Sequence, residues 1–322
     1  MSVTVPDTAL RTPSARRRAK VSGGALQGER RRLYLPMLLP ALITYLIFFV
    51  LPSMFGIVLS FAEWSGLGTE FSWAGWSNYV SMAESELFRA SFVQTLALTL
   101  IVGVLLFVIA GASMIVLRTA RAGAFIRSAV FLPFMISPIA VGLAISFLFN
   151  PNGMINTVLG VLGLSGLRQP WLAPELIFNV IIVGVVWSAA GFYVVLVMSA
   201  VDGIPPSYYE VARIEGASEL QQFRYITLPL TRDMLAIAAS LWAIAGIKTF
   251  ELIIAFVGTA GTPPPEARTL AVEQYLRVTG GRDGGLAQLG EAAAIGIVMT
   301  AITAVLIVLS RRIQRRERLE LA

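Results

Sequence analysis

The chain of 322 residues contains no cysteine and no histidine. Without cysteine there is no disulfide framework, no thiolate metal site and no thiol nucleophile. Without histidine the common general base, the commonest metal ligand and any Ser-His-Asp triad disappear together. Lysine is almost missing too: Lys20 and Lys248 are its only instances, and neither follows a glycine. The phosphate-cradling pattern G-x-x-x-x-G-K-[ST] therefore cannot be written, and any ATP used must sit on another chain. Charge is scarce, at 14% of residues against 56% hydrophobic, where a soluble domain carries about 25% charged residues. A soluble enzyme and a disordered polar chain are both excluded by this balance. No catalytic residue and no metal-ligand set is assigned.

What remains is a set of long apolar runs. Leu33 to Ala62, Ala90 to Leu117, Leu176 to Val201 and Ala292 to Ser310 carry no charge. Ser128 to Leu167 is also uncharged but is broken by Asn150-Pro151-Asn152-Gly153, so only its first part should span. Met234 to Pro265 is interrupted by Lys248 and Glu251 alone. The 19 residues from Ala292 to Ser310 make about 28 Å of helix, enough for a hydrocarbon core of about 30 Å. Spanning must be helical, because lipid offers no partner for free backbone groups. The sequence predicts an all-α membrane protein with six transmembrane helices, at 34–61, 92–117, 126–149, 175–200, 233–257 and 289–310. A basic tail at 1–32, rich in Pro, Ser, Gly and Ala, reads as disordered; a membrane domain fills 33–310; a second basic tail covers 311–322. The apolar run after the first tail is far longer than the core of a cleaved signal peptide.

The formal net charge is +6, and its placement fixes an orientation. Of the 25 Lys and Arg residues, 19 flank one side: the N-terminal tail, the 118–127 loop, the 201–232 loop and the C-terminal tail. Five (Arg89, Arg168, Arg268, Arg277 and Arg282) flank the other, and Lys248 lies inside a span. The positive-inside rule puts both termini and the 201–232 loop in the cytoplasm. Arg311-Arg312 and Arg315-Arg316 read as a stop-transfer anchor at an anionic surface rather than as a nucleic-acid patch.

The 201–232 loop is the most informative stretch. Ser207-x-x-Glu210 and Ser218-x-x-Gln221 are two capping boxes, each able to start a short helix. Gly216 lies between them, where a left-handed helix stop favours glycine. Pro229 is expected to prevent continuation into the next span. The loop thus predicts helix, tight turn, helix: a knob for a groove on a partner.

These residues resemble the EAA loop of the transmembrane subunits of bacterial binding-protein-dependent ABC importers. The family form is E-A-A, two residues, D-G-A, eight residues, then I-x-L-P. Glu210-Val211-Ala212, Glu215-Gly216-Ala217, Ile226 and Leu228-Pro229 keep that spacing, departing at Val211 for alanine and Glu215 for aspartate. Gly75-Trp76-Ser77-Asn78-Tyr79 is similar to the family's G-x-x-N-Y segment, and Lys248-Thr249-Phe250-Glu251 to its K-x-F-D segment. Gly261-Thr262-Pro263 is a degraded Gly-Gly-Pro. The basic C-terminus resembles the maltose-type first permease subunit of carbohydrate and glycerol-phosphate importers. The resemblance implies a type I importer permease fold in the bacterial cytoplasmic membrane. It implies a second homologous permease, two ATPase subunits that hold ATP and magnesium, an extracytoplasmic solute-binding protein, and a small solute of the sugar class. It also implies that the 204–229 loop docks into a cleft on the ATPase.

Other candidates bear on the solute path. Lys248 and Glu251, three residues apart, are able to pair; intramembrane charges mark either a pathway or a structural ion pair. Phe250 lies between them. Trp187, Phe192 and Tyr193 offer rings that can stack on sugar faces, but Trp187 and Tyr193 lie about 120° apart on a helical wheel. An ATP-independent six-helix channel or secondary transporter is the competing reading; it has no use for the loop pattern.

Overall fold

The computed structural model describes residues 36–66, 71–119, 123–257, 262–281 and 285–319, with side chains described as far as Ser310. The basic tail 1–32, Gly261 and the side chains of the C-terminal arginines lie outside the described residues. Among the described residues, six helices are long and apolar enough to cross a membrane. The chain divides into a unit ending at Phe55 and a second running from Gly56 onward.

The first helix, α1 (Pro36–Leu59), supplies the first unit and passes into the second. Within the first unit it widens into a π turn at Leu46–Val50, where the Leu51 amide donates to the Leu46 carbonyl. The reason is Pro52. A proline has no N–H and its ring clashes with the carbonyl four residues back, so the turn before it opens to five residues. Ser53 Oγ donates to the Phe49 carbonyl at 2.6 Å in the same stretch.

The second unit continues with a two-residue hairpin, β1 (Ala62–Glu63) antiparallel to β2 (Ser72–Trp73), pairing Ala62 with Trp73 and Glu63 with Ser72. Helix α2 (Ser77–Glu84) follows. Then comes α3 (Glu86–Thr119), an unbroken helix of 34 residues, about 50 Å long and so longer than the hydrocarbon core is thick. The third predicted span, 126–149, is corrected: it is two pieces. Helix α4 (Gly123–Phe131) runs into a 3-10 turn at Leu132–Met135, and α5 (Pro138–Phe149) restarts after an extended Ile136-Ser137. Pro138 holds Ser137 out of the helical region, as a following proline does. The turn at 150–153 separates α5 from α6 (Met154–Val161), and the apolar length sufficient to cross runs over both helices.

Helix α7 (Pro174–Asp202) is the central element. It is followed by α8 (Pro206–Ile214) and α9 (Glu219–Ile247). The fifth predicted span, 233–257, is also corrected, because α9 begins far earlier and ends at Ile247. Pro229 does not stop it. The α1 device recurs: a π turn at Phe223–Thr227 precedes the proline, and the Leu228 amide donates to the Phe223 carbonyl. Helices α10 (Glu251–Val257), α11 (Leu270–Thr279) and α12 (Leu289–Leu319) complete the chain.

The core of the second unit is built on α3, α7 and α9. Leu98, Val102, Leu106, Ala110 and Met114 are buried at four-residue spacing on α3, one i±4 ridge of the kind that packs into a neighbouring helix. It meets Ile177, Ile181, Val185, Val194 and Val197 of α7 and Trp242 of α9. Leu100, Val104 and Val108 on the other face of α3 are exposed. Apolar residues on both faces mark a helix with lipid or a partner span on its outside. Glycines let backbones approach. A Cβ on Gly142 of α5 would overlap the Leu252 carbonyl of α10, and one on Gly191 of α7 would overlap the Val130 carbonyl and crowd the Phe131 Cα of α4.

Gly191→Val should therefore loosen α4 from α7 and destabilise the protein by about 1–3 kcal/mol, the ordinary scale of overpacking. Thermal unfolding of the purified protein measures this. Gly166→Ala, where an added Cβ meets nothing within 4 Å, is the control expected to melt with the parent.

Candidate functional site: the loop between α7 and α9

The loop folds as the sequence predicts at its turn and second helix, and differently at its first. Helix α8 starts at Pro206, with no side-chain cap from Ser207. The expected Ser207–Glu210 capping box is thus corrected: proline at the first helical position, with its φ preset and no N–H to satisfy, starts the helix two residues earlier, with Pro205 in the cap position. At the other end Gly216 has φ 78°. The Ala217 amide donates to the Ala212 carbonyl at 2.9 Å and the Gly216 amide to the Arg213 carbonyl at 3.1 Å. These are the two bonds of a Schellman stop. The Ser218 box forms in full: the Gln221 amide donates to Ser218 Oγ at 3.3 Å, and the Ser218 amide to Gln221 Oε1 at 2.7 Å.

One face of this knob is tied to the bundle. Tyr209 is buried and its hydroxyl lies 3.0 Å from Thr227 Oγ1. Gln222 is 1% exposed, and its Nε2 donates to the Ala217 carbonyl at 2.9 Å. The other face is open. Glu210, Val211, Glu215 and Gly216 are exposed, Ala212, Ala217 and Ile226 are half-buried, and Leu228 and Pro229 are exposed at the start of the span. Around them Tyr208, Val211, Ile214 and Leu220 expose apolar side chains, Ile214 to 84%. The exposed carboxylates of Glu210 and Glu215 belong to the same open stretch.

Two arginines, Arg118 and Arg127, reach the 201–232 stretch. Arg118, in the last turn of α3, donates from Nη2 to Gln222 Oε1 at 2.9 Å, pairs with Glu219, and sets its guanidinium 4.1 Å from the centre of the Tyr209 ring. Arg127 of α4 pairs with Asp202 at 2.5 Å. Sequence reasoning used Arg118 only as a topological charge. Its position at the end of a charge-free run was the available signal, but its partners lie about a hundred residues away.

The path candidates separate. Tyr193 is 3% exposed, in edge-on contact with Trp242 at 6.0 Å and Phe192 at 5.1 Å; Trp187 is half-exposed on a different face. Lys248 and Glu251 are not paired, which corrects that expectation. Lys248 caps the C-terminus of α9 and Glu251 opens α10, and both are exposed. Each charge has the sign its helix end favours, so the break at 248–250 stabilises them separately. Phe250 between them is half-buried against Tyr275, 5.6 Å away. The Thr249 carbonyl accepts from Thr269 Oγ1 at 2.9 Å, which holds the break.

At the opposite end, Asn78 of the G-x-x-N-Y segment is buried and donates to the carbonyls of Ser60 and Ala62, both at 2.9 Å. Gly75, with φ 56°, makes the turn that brings it there. Those residues are structural clamps on the hairpin.

The family model described as the binding-protein-dependent transport system inner membrane component matches residues 108–319. The chain belongs to this family. A diacetylchitobiose uptake system permease protein of Streptomyces coelicolor is 31% identical, over 95% of this chain and 89% of its own length. A trehalose/maltose transport system permease protein of Thermococcus litoralis is 30% identical, over 70% of this chain and 77% of its own. Among solved structures, a chain of a bacterial ABC transporter involved in the import of the acidic polysaccharide alginate superposes with TM-score 0.76 at 26% identity, covering 91% of this chain and 99% of that one. The protein is thus a multi-pass ABC importer permease, a transport subunit and not an enzyme, and the reading as an ATP-independent channel or secondary transporter gives way.

Because Lys248 and Glu251 do not touch, Lys248→Met and Glu251→Leu should add in the double variant to within about 0.5 kcal/mol, as independent sites do. Melting of the four purified proteins of the cycle measures the coupling; an interaction energy well above that would restore the ion pair.

Proposed function

We propose that this chain is one of two homologous permease subunits of a carbohydrate importer in the bacterial cytoplasmic membrane. Both termini and the 204–229 loop face the cytoplasm, where the loop docks into a cleft on one of two ATPase subunits. ATP and magnesium belong to those subunits. An extracytoplasmic binding protein delivers the solute to the other face; one related importer structure was solved with an alginate pentasaccharide-bound periplasmic protein. The named relatives that transport diacetylchitobiose and trehalose or maltose support a sugar as the solute class.

The observation that carries this reading is the knob itself. Its Schellman turn and capping box join the short α8 to the start of the long helix α9, with one face bonded to the span bundle and the other apolar, acidic and open. An ATP-driven movement of the partner cleft would reach the spans through such a body. Lys248, Glu251 and the half-exposed Trp187 are open on this subunit and are the candidates to face the second permease and the solute path.

Two outcomes follow. A reporter fused after Arg316 should be cytoplasmic and one inserted in the 266–286 loop external, given the bias of basic residues; both on one side would refute the arrangement. Gly216→Val should leave the protein in the membrane but release the ATPase. A β-branched residue in a left-handed turn is strained by about 1–3 kcal/mol, and no neighbour lies within 4 Å of the site to transmit that strain to the spans. Co-purification of the ATPase at unchanged membrane levels measures the effect. Full retention would mean that the loop is not the docking element.

A further inference from the structure

The open face of the knob accounts for docking, but it does not say how movement of the loop reaches a span. One side chain stands at that junction. Arg118 projects from the last turn of α3 and is 13% exposed. It contacts Tyr209 on α8 and both Glu219 and Gln222 in the first turn of α9. A single residue of a third helix thus grips the loop on both sides of the Gly216 turn. Gln222 passes the contact on to the Ala217 carbonyl, beside the turn, and Tyr209 passes it to Thr227, the last residue of the π turn of α9.

We propose that Arg118 is the positioning residue that fastens the coupling loop to α3, so that displacement of the docked knob moves that helix as a unit. This rests on the reading of the loop as the ATPase-docking element. The chemistry suits arginine in particular. Its flat guanidinium lies over the Tyr209 ring while one nitrogen, Nη2, donates to both Glu219 Oε2 and Gln222 Oε1; a lysine ammonium has no flat face to lay on the ring while it donates. Helix ends add to it: Arg118 lies at the C-terminus of α3 and Glu219 at the N-terminus of α9, each with the sign its helix end favours. The neighbouring Arg127–Asp202 pair joins α4 to α7 and reaches neither α8 nor α9. Helix α3 is unbroken and lies along α7 and α9 for most of its length, so a push at Arg118 is delivered to the core as rigid-body movement.

The test uses the whole complex of both permeases and the ATPases in lipid nanodiscs. Since the chain has no cysteine, Val108→Cys on α3 and Val305→Cys on α12, both exposed, accept spin labels, with the partner subunits made cysteine-free. The inter-label distance is compared without nucleotide and with ATP plus vanadate. In the parent the distance should shift. Arg118→Gln should keep the ATPase bound and hydrolysing while the shift is lost. Arg118→Lys should fall between the two. A full shift in Arg118→Gln with the ATPase bound overturns the proposal, as does an absent shift in the parent. Release of the ATPase by Arg118→Gln also overturns it, because the residue would then only shape the docking surface. If Arg118→Gln does not assemble, Arg118→Lys and the surface change Glu219→Gln decide, and undiminished shifts in both refute the role. ATPase retention in Gly216→Val reports on docking separately, so the failure of that reading is distinct from failure of this one.

Discussion

Every backbone N–H and C=O that enters hydrocarbon must find its partner inside the protein, since an unsatisfied group there costs several kcal/mol. That constraint governs both the regular and the irregular parts of this chain. Where the spans are regular, hydroxyls fold back onto the helix: Thr95 onto the Ser91 carbonyl, Thr99 onto Thr95, Thr231 onto Thr227 and Ser240 onto Ala236. Where a span is irregular, a specific donor closes the gap. Two of the prolines inside spans, Pro52 and Pro229, are each preceded by a π turn that moves the clashing carbonyl aside. The break after α9 is closed by the Thr269 hydroxyl, whose neighbour Leu270 donates its own amide to Thr95 Oγ1 at 2.8 Å.

Once the backbone is satisfied, packing has to hold the helices together without much help from the hydrophobic effect, because lipid tails are as apolar as leucine. Close approach and directed polar contacts do that work. Trp242 illustrates both. Its ring lies where a Cβ on Gly103 would crowd it, and its Nε1 donates to the Thr99 carbonyl at 2.7 Å. One side chain thereby locks α9 to α3 through a small residue and a backbone oxygen. At the far end, charge replaces ring: Glu273, 4% exposed, is held by Arg268 at 3.3 Å and Arg277 at 3.2 Å, and Arg277 pairs in turn with Glu291 of α12. Breaking such a buried pair leaves a naked charge, so this cluster fixes α11 on α12.

The same physics explains what was legible in the sequence. Charge-free length is a direct consequence of desolvation cost, and it located four of the six spans, while the third and fifth were displaced. Gly216 and the Ser218–Gln221 box were legible because turns and caps are decided by neighbours in sequence. Tertiary or longer-range backbone effects were not. The run from Ser128 to Asn150 has no charge to mark its interruption, and two prolines flanking Ile136-Ser137 decide it. Pro229 looked like a stop, but a π turn absorbed it. Lys248 and Glu251 had pair spacing on an ideal helix, and the helix is not ideal there. The spacing of the loop motif pointed to its open face, whereas Arg118 could be connected to that loop only in three dimensions.

A lever of this kind needs different materials at its two ends. Apolar contact is non-directional and tolerates sliding, which would suit the proposed seating of the exposed side chains in a moving cleft. Polar contact with fixed angles resists sliding, which suits the root where the knob meets the span. The loop shows that division. Val211, Ile214 and Leu220 point outward, while Tyr209, Gln222 and Thr227 are buried in hydrogen-bonded geometry at the root. Gly216 separates α8 from α9, each of which contributes to both regions, and its left-handed turn leaves no side chain to fill the angle between them. Stiffness at the root and adaptability at the tip are what transmission requires, because a compliant root would absorb displacement before α3 or α9 moved.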